Sequence, residues 1–193
     1  MTEYLPQDID LLDFLRTKLG DLSGFATLAN ELIQNAEDAR ASEITFVVTD
    51  EYLMIQNDSQ FSEDDFKRMQ KIAGSDRRAD EWTIGKFGIG FTSVYLITDR
   101  PQLKSSGKHW IFQPEKTAEQ RIEQRKIELL RGTKFLLPWA KRNSIIRQKL
   151  NLIPITNELI NEFIVELEEA LPKALLFLNN LQQITWLFST SYA

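Results

Sequence analysis

Residues 84–99 read IGKFGIGFTSVYLITD, and the opening eight, Ile84-Gly85-Lys86-Phe87-Gly88-Ile89-Gly90-Phe91, decide how the rest of the chain is read. Three glycines at spacings of three and two lead into an apolar, helix-compatible run. Without Cβ atoms, such a loop lets backbone N–H groups approach an anion closely, and a helix N-terminus behind it adds partial positive charge. Two phosphate loops are excluded at once. Gly85-Lys86 is followed by Phe87 and not by Ser or Thr, so the Walker pattern fails. Gly88-Ile89-Gly90-Phe91-Thr92-Ser93 lacks a third glycine and a preceding strand, so the dinucleotide fingerprint fails as well. Alone, the loop reads equally as a glycine-rich turn that permits close helix packing.

Two further segments give it company. Upstream lies Glu31-Leu32-Ile33-Gln34-Asn35-Ala36-Glu37-Asp38-Ala39. On a helix, Glu31, Asn35 and Asp38 stand at i, i+4 and i+7 and make one polar stripe, while Leu28, Leu32, Ala36 and Ala39 make an apolar one. An Asn oxygen is a hard, neutral ligand for magnesium, and a Glu can accept a proton from an attacking water. Downstream lies Arg131-Gly132-Thr133-Lys134-Phe135-Leu136-Leu137, a strand whose first hydroxyl can meet a base or an ordered water. Taken singly, the stripe reads as a solvated helix face and Thr133 as an ordinary strand residue.

The remaining sequence supplies an α+β frame. Asp8 or Asp10 caps a helix through Leu11, Leu12, Leu15 and Leu19, and Gly20 stops it. Ser23 opens the helix that carries Glu31. Glu43–Thr49 and Tyr52–Gln56 read as strands joined tightly through Asp50-Glu51. Ser62 and Asp65 cap a helix through Phe66, Met69 and Ile72. The polar stretch 74–83 reads as a loop or lid. Strands near Gln102–Lys104 and His109–Gln113 flank the turn Ser105-Ser106-Gly107. Lys134–Leu137 is a strand halted by Pro138. Apolar positions from Leu159 to Leu178 give a last helix that Pro172 should kink or break, and Ile184–Phe188 is a final strand. Strands and helices do not alternate as βαβ units, so the fold class is α+β, a two-layer sandwich with a mixed, mainly antiparallel sheet covered on one face by helices.

Composition narrows the chemistry. The 193 residues are 42% hydrophobic and 26% charged with 8 Gly and 6 Pro, which excludes disordered and low-complexity classes. No cysteine is present, so disulfides, thiol catalysis and zinc-thiolate sites are out, and a reducing cytoplasm suits the chain. The single histidine, His109, reads as structural. The densest apolar run, Ala174–Leu178, is too short for a membrane span, and the N-terminus lacks a secretory signal. Net charge is −5, with residues 31–65 carrying ten acids against one Arg and residues 121–149 nine bases against two acids. Nucleic acid is therefore not the expected partner, and the asymmetry reads as solvated faces of a dipolar domain.

Taken in order, Glu31 through Ala39, Gly85 through Phe91 and Gly132-Thr133-Lys134 resemble the Bergerat-fold ATPases of gyrase, the ninety-kilodalton heat-shock chaperone, histidine kinases and MutL-type repair proteins. The chain is most similar to the chaperone's N-terminal nucleotide domain and to sacsin-type repeats, over roughly Leu11 to Pro138. The resemblance implies one nucleotide-binding domain over 1–193, with its core at 8–138 and a helical extension and strand at 143–193. It also implies that this domain is the N-terminal part of a longer protein.

The family pattern places Glu31 as general base, Asn35 as magnesium ligand and Asp38 as a pocket-lining acid. Gly85, Lys86, Phe87, Gly88, Ile89, Gly90 and Phe91 fall on the phosphate-cradling loop, and Thr133 lies near the adenine. ATP or ADP with Mg2+ is the implied ligand. Slow ATP hydrolysis coupled to conformational change is the implied activity, with downstream domains and protein clients as partners. A non-hydrolysing nucleotide-sensing module is the alternative, followed by a kinase or DNA-associated member. Three departures stand out. The adenine-reading Asp and its glycine are replaced: strand register puts Asn57 in the Asp position and Ser59 in the Gly position, and Asp58 serves instead if the turn shifts by one. The 74–83 stretch is shorter than the chaperone's lid. The chaperone draws a catalytic cation from a following domain, and Lys86 is not an established substitute for it here.

Overall fold

In the computed structural model, which describes residues 10–20, 24–70 and 89–189, Glu43–Thr49 (β1) and Tyr52–Asn57 (β2) form the expected antiparallel pair. β2 pairs with Thr133–Pro138 (β6), which pairs with Gln102–Ser105 (β3), then Lys108–Phe112 (β4) and Ile122–Lys126 (β5), all antiparallel. Gln183–Ser189 (β7) closes the other edge, parallel to β1. The sheet order is β5-β4-β3-β6-β2-β1-β7. Because β7 lies in register along all of β1, the C-terminal strand is part of the same sheet as the rest.

Strict alternation decides which face is buried. Ile44, Phe46 and Val48 of β1, Leu53 and Ile55 of β2, Phe135 and Leu137 of β6, Leu103 of β3 and Trp110 and Phe112 of β4 all point to one side and are buried. The helices cover that side. Leu11–Gly20 (α1), Gly24–Asp38 (α2), Glu63–Gln70 (α3), Ile89–Thr92 (α4), Ile145–Leu150 (α5) and Asn157–Ala174 (α6) contribute Leu15, Leu28, Leu32, Met69, Phe91, Ile146, Phe163 and Leu167 to one core. The α+β, mainly antiparallel, one-face-covered sandwich anticipated from the sequence is the observed architecture.

Caps form where expected. Asp10 Oδ1 accepts the Leu12 N–H at 2.8 Å, while Asp8 and Ser23 lie outside the described residues. Ser62 Oγ accepts the Asp65 N–H at 3.1 Å and Asp65 Oδ2 accepts the Ser62 N–H at 2.9 Å, a reciprocal capping box. In the β3–β4 hairpin, Ser105 belongs to the strand, and Ser106 and Gly107 make the turn with φ of 49° and 72°. Two left-handed residues match the twist of the flanking strands.

Four expectations need correction. The run 84–99 is not one helix where it is described: α4 gives way to a 3-10 turn, Ser93–Leu96. That turn ends on Arg147, a fully buried guanidinium that donates to the Tyr95 and Leu96 carbonyls at 2.8 and 2.7 Å. α5, a separate short helix at the start of the helical extension expected over 143–193, supplies Arg147 and is capped by Ser144 Oγ at 3.0 Å from the Arg147 N–H. β5 was missed, because Ile122-Glu123-Gln124-Arg125-Lys126 is an exposed edge strand with no apolar alternation to betray it. Finally, Pro172 does not break α6. It sits in the last turn, where its absent N–H removes a single bond, and the helix ends at Ala174 short of Leu178.

Candidate functional site

The core-facing side of α2 is set by Leu28, Leu32 and Ala36, and this fixes where its polar stripe lies. Asn35 is 7% exposed, and Glu31 and Asp38 are half-buried. Among the described residues nothing hydrogen-bonds the Asn35 carboxamide. The carboxamide keeps some solvent access, so water or a ligand can complete its hydrogen bonds. Burial pushes the Glu31 carboxyl above its ordinary range, and the nearby Asp38 charge pushes it further in the same direction. Asp38 itself accepts Gln34 Nε2 at 2.9 Å on the exposed side of the helix. It therefore acts on Glu31 through its charge.

At the ends of β2, β6 and β3 the otherwise apolar face turns polar. Asn57, Thr133 and Ser105 are 5%, 3% and 0% exposed and stand on three adjacent strands, Asn57 opposite Thr133 and Thr133 opposite Ser105. Asn57 Oδ1 accepts the Ser59 N–H at 3.1 Å, and Thr133 Oγ1 donates to the Ser59 carbonyl at 2.7 Å. Ser105 Oγ lies 3.1 Å from Thr133 Oγ1 and accepts the Phe61 N–H at 3.0 Å. Ser59 Oγ reaches the Ala39 carbonyl at 2.6 Å, which ties this nook to the C-terminal end of α2. Gly132 is required here, since φ is 77° and a Cβ would stand 2.0 Å from the Asn57 carbonyl oxygen.

Asn57 and Asp58 differ in their side-chain commitments. Asp58 Oδ1 accepts the Ser42 and Glu43 N–H groups at 2.8 and 3.2 Å, and Oδ2 accepts Ser42 Oγ at 2.5 Å. Burial raises its carboxyl, but these donors outweigh burial and hold it below the ordinary range. Asp58 is thus an anchor for the start of β1, and the one-residue shift of the turn that would free it does not occur. Asn57 is the side chain in the polar nook.

Of the glycine loop, Gly85, Lys86, Phe87 and Gly88 lie outside the described residues, and Ile89 and Gly90 begin α4. Phe91 is 4% exposed and packs its ring against Phe112 and Phe135 at 5.3 and 5.9 Å, so only its backbone is available to a ligand. α4 contacts α2, which brings the end of the loop beside the helix of Glu31 and Asn35.

Sequence reasoning missed Glu37. Its carboxylate, in the last turn of α2, accepts the backbone N–H groups of Asn179, Asn180 and Leu181 at 3.0, 3.0 and 2.9 Å and Asn180 Nδ2 at 2.8 Å. It pins the segment that leads into β7. His109 is structural as expected: Nε2 pairs with Gln102 Oε1 at 2.9 Å, and burial, Lys104 and Arg125 lower its pKa. Among the described residues no group of three His, Cys, Asp or Glu could hold a metal, and no helix is long and apolar enough to cross a membrane.

Comparison with known proteins agrees with this geometry. Residues 48–130 match the sacsin domain family. Human sacsin is 34% identical over 125 residues, covering 55% of this chain, and the Arabidopsis thaliana Protein NO VEIN is 27% identical over 172 residues, covering 81%. The chain spans only 3% and 6% of those two proteins. Among solved structures, the ADP-complexed ATPase domain of Aquifex aeolicus MutL superposes with a TM-score of 0.52 at 13% identity, covering 83% of this chain and 59% of that one. The N-terminal domain of a DNA repair protein gives 0.57 at 17% identity, covering 93% and 53%. At such identities the likeness is one of fold. Residues 48–130 are thus similar to the sacsin domain family, and the chain as a whole shares its fold with the MutL ATPase domain.

Proposed function

We propose that this domain binds a purine nucleoside triphosphate with magnesium and hydrolyses it slowly, as one part of a longer sacsin-like protein whose conformation it drives. The observation that supports the reading is that one helix packed on the covered face of the sheet carries a largely buried Asn35 and a Glu31 carboxyl of raised pKa, and that its C-terminal end is tied by Ser59 to the Asn57–Ser59–Thr133 nook. The MutL domain of the same fold was solved with ADP, which supports a nucleotide as the ligand class.

The residues fit a magnesium nucleotide in a particular way. With no acidic cluster among the described residues, the ion would be held by the phosphates and water with Asn35 as the protein's neutral oxygen ligand. Bound there, magnesium would neutralise phosphate charge. Glu31 does the proton work: a carboxylate made more basic by burial and by Asp38 accepts a proton from water more readily than an ordinary Glu. Asn57 and Thr133 orient the base.

Calorimetric titration with nucleotide, with and without magnesium, followed by single-turnover hydrolysis, tests the reading. One site per chain is expected, with hydrolysis lost in Glu31→Ala while binding survives. Binding without turnover in the full-length protein would make this a nucleotide-sensing module. No binding would refute the reading.

A further inference from the structure

The two edges of the sheet are finished differently. β5, at one edge, carries Glu123, Arg125 and Lys126, and such charge keeps an exposed strand from pairing with a stray one. β7, at the other, reads Gln183-Ile184-Thr185-Trp186-Leu187-Phe188-Ser189, seven residues without a charge or a proline. Among the described residues it pairs on one side only, with β1, so the N–H and C=O groups that point away from β1 meet no strand there. Its apolar side chains stay open at that edge: Trp186 is 39%, Leu187 54% and Phe188 38% exposed. Register with β1 puts Trp186 and Phe188 on the helix-covered face and Leu187 on the other. Between β7 and α6 runs a groove of about 190 Å³, lined by Val48, Ile160, Ile164 and Phe188, with Asp50 among its polar groups.

We propose that β7 is a docking edge for a partner protein, taking from it an extended segment with an apolar centre flanked by Lys or Arg. The segment adds an eighth strand beside β7. Backbone ladder bonds hold it, and its apolar side chains on the covered face shield Trp186 and Phe188 and reach the groove. α6 decides the charge of the occupant. This helix carries five Glu against one Lys, Lys173, and Glu158, Glu162, Glu168 and Glu169 are exposed. β7 brings no charge to offset them, and Lys141 is engaged by Asn157 Oδ1 at 3.1 Å. Basic flanks on the added strand are drawn to that field, whereas acidic ones are repelled. The same charge argues against a second copy of this chain. Two β7 strands paired antiparallel about a two-fold axis would set both α6 helices on one face of the joined sheet, bringing acid toward acid across the seam.

The test titrates the 193-residue chain, without nucleotide, with two blocked peptides: Lys-Lys-Val-Thr-Val-Thr-Val-Lys-Lys and the same core between pairs of Glu. The basic peptide should bind at least about tenfold more tightly than the acidic one and weaken as salt is raised. Amide hydrogen exchange should show its protection at 183–189, and a central Pro in the peptide should abolish binding by removing a ladder donor. Leu187→Lys alters a side chain 54% exposed and outside the core, so the chain should fold and bind the basic peptide about tenfold more weakly. Equal affinity for the acidic peptide, protection away from β7, undiminished binding by Leu187→Lys or no binding of the basic peptide overturns the proposal. Mass that grows with concentration in the free chain and returns to monomer in Leu187→Lys also overturns it, by making a second copy the occupant. None of these outcomes depends on the nucleotide reading.

Discussion

Replacing Glu37 with Gln examines a contact that the whole C-terminal edge of the sheet depends on. The carboxylate sits 8% exposed in the last turn of α2, where the negative end of the helix dipole disfavours it. Three backbone N–H groups and the Asn180 amide offset that. A Gln keeps the size but has one oxygen, and either orientation sets its NH2 against a backbone donor. The loss of charge-assisted bonds and the stranded N–H together should cost about 2–3 kcal/mol. Urea unfolding at pH 7 would read this as a lower midpoint with unchanged slope. Acidity gives an independent arm. Burial pushes the Glu37 carboxyl up, but the Leu181, Asn179 and Asn180 N–H groups prevail and hold it below its ordinary range. A lowered folded-state pKa contributes stability above the unfolded pKa, and that contribution vanishes as pH falls through the folded value. The gap between wild type and Glu37→Gln should therefore narrow in acid. A gap under about 0.5 kcal/mol at pH 7, or one that widens on acidification, refutes the reasoning.

Other perturbations have equally definite outcomes. Gly132→Ala adds a Cβ 2.0 Å from the Asn57 carbonyl at φ 77°, so strand ends must part, at a cost above about 3 kcal/mol in thermal or urea unfolding. Arg147→Met strands the Tyr95 and Leu96 carbonyls and leaves Asp99, 3.8 Å away, without its cation, which should cost about 3 kcal/mol. Arg147→Lys should recover part of this, since an ammonium cannot span both carbonyls as the planar fork does. Asp38→Asn removes a charge that raises the Glu31 carboxyl, so the acid limb of the hydrolysis pH profile should move to lower pH. An unmoved limb would detach Glu31 from the proton step.

Much of this was legible in the sequence, for definite reasons. β1 is rich in β-branched residues and a two-residue Asp50-Glu51 link joins it to β2, so their pairing and even their tight link could be read. α2 carries its apolar and polar stripes at helical spacing, which put Asn35 on the right helix and next to the core. What escaped depends on partners distant in sequence. Glu37 looks like any acid near a helix end until residues 179–181 arrive beside it. Arg147 reads as one of nine bases in a charged stretch, yet it is fully buried, because two carbonyls over fifty residues away need it. Whether Asn57 or Asp58 faced the site turned on the Ser42 and Glu43 donors, which no local pattern reveals. β5 is held by ladder bonds to β4, by Trp110 Nε1 donating to Gln124 Oε1 at 2.8 Å and by Ile122 against the core, and its charged and polar remainder leaves no mark in side-chain periodicity.

The central claim is that nucleotide binds on the helix-covered side of the sheet, between α2 and the β2–β6 end. Amide hydrogen exchange of the chain with and without magnesium and saturating GTP or ATP tests it most directly. The account predicts added protection in the second half of α2 and around residues 57–59 and 131–133. Protection confined to the uncovered face of the sheet, at β4 and β5, or none anywhere under saturation, would contradict it.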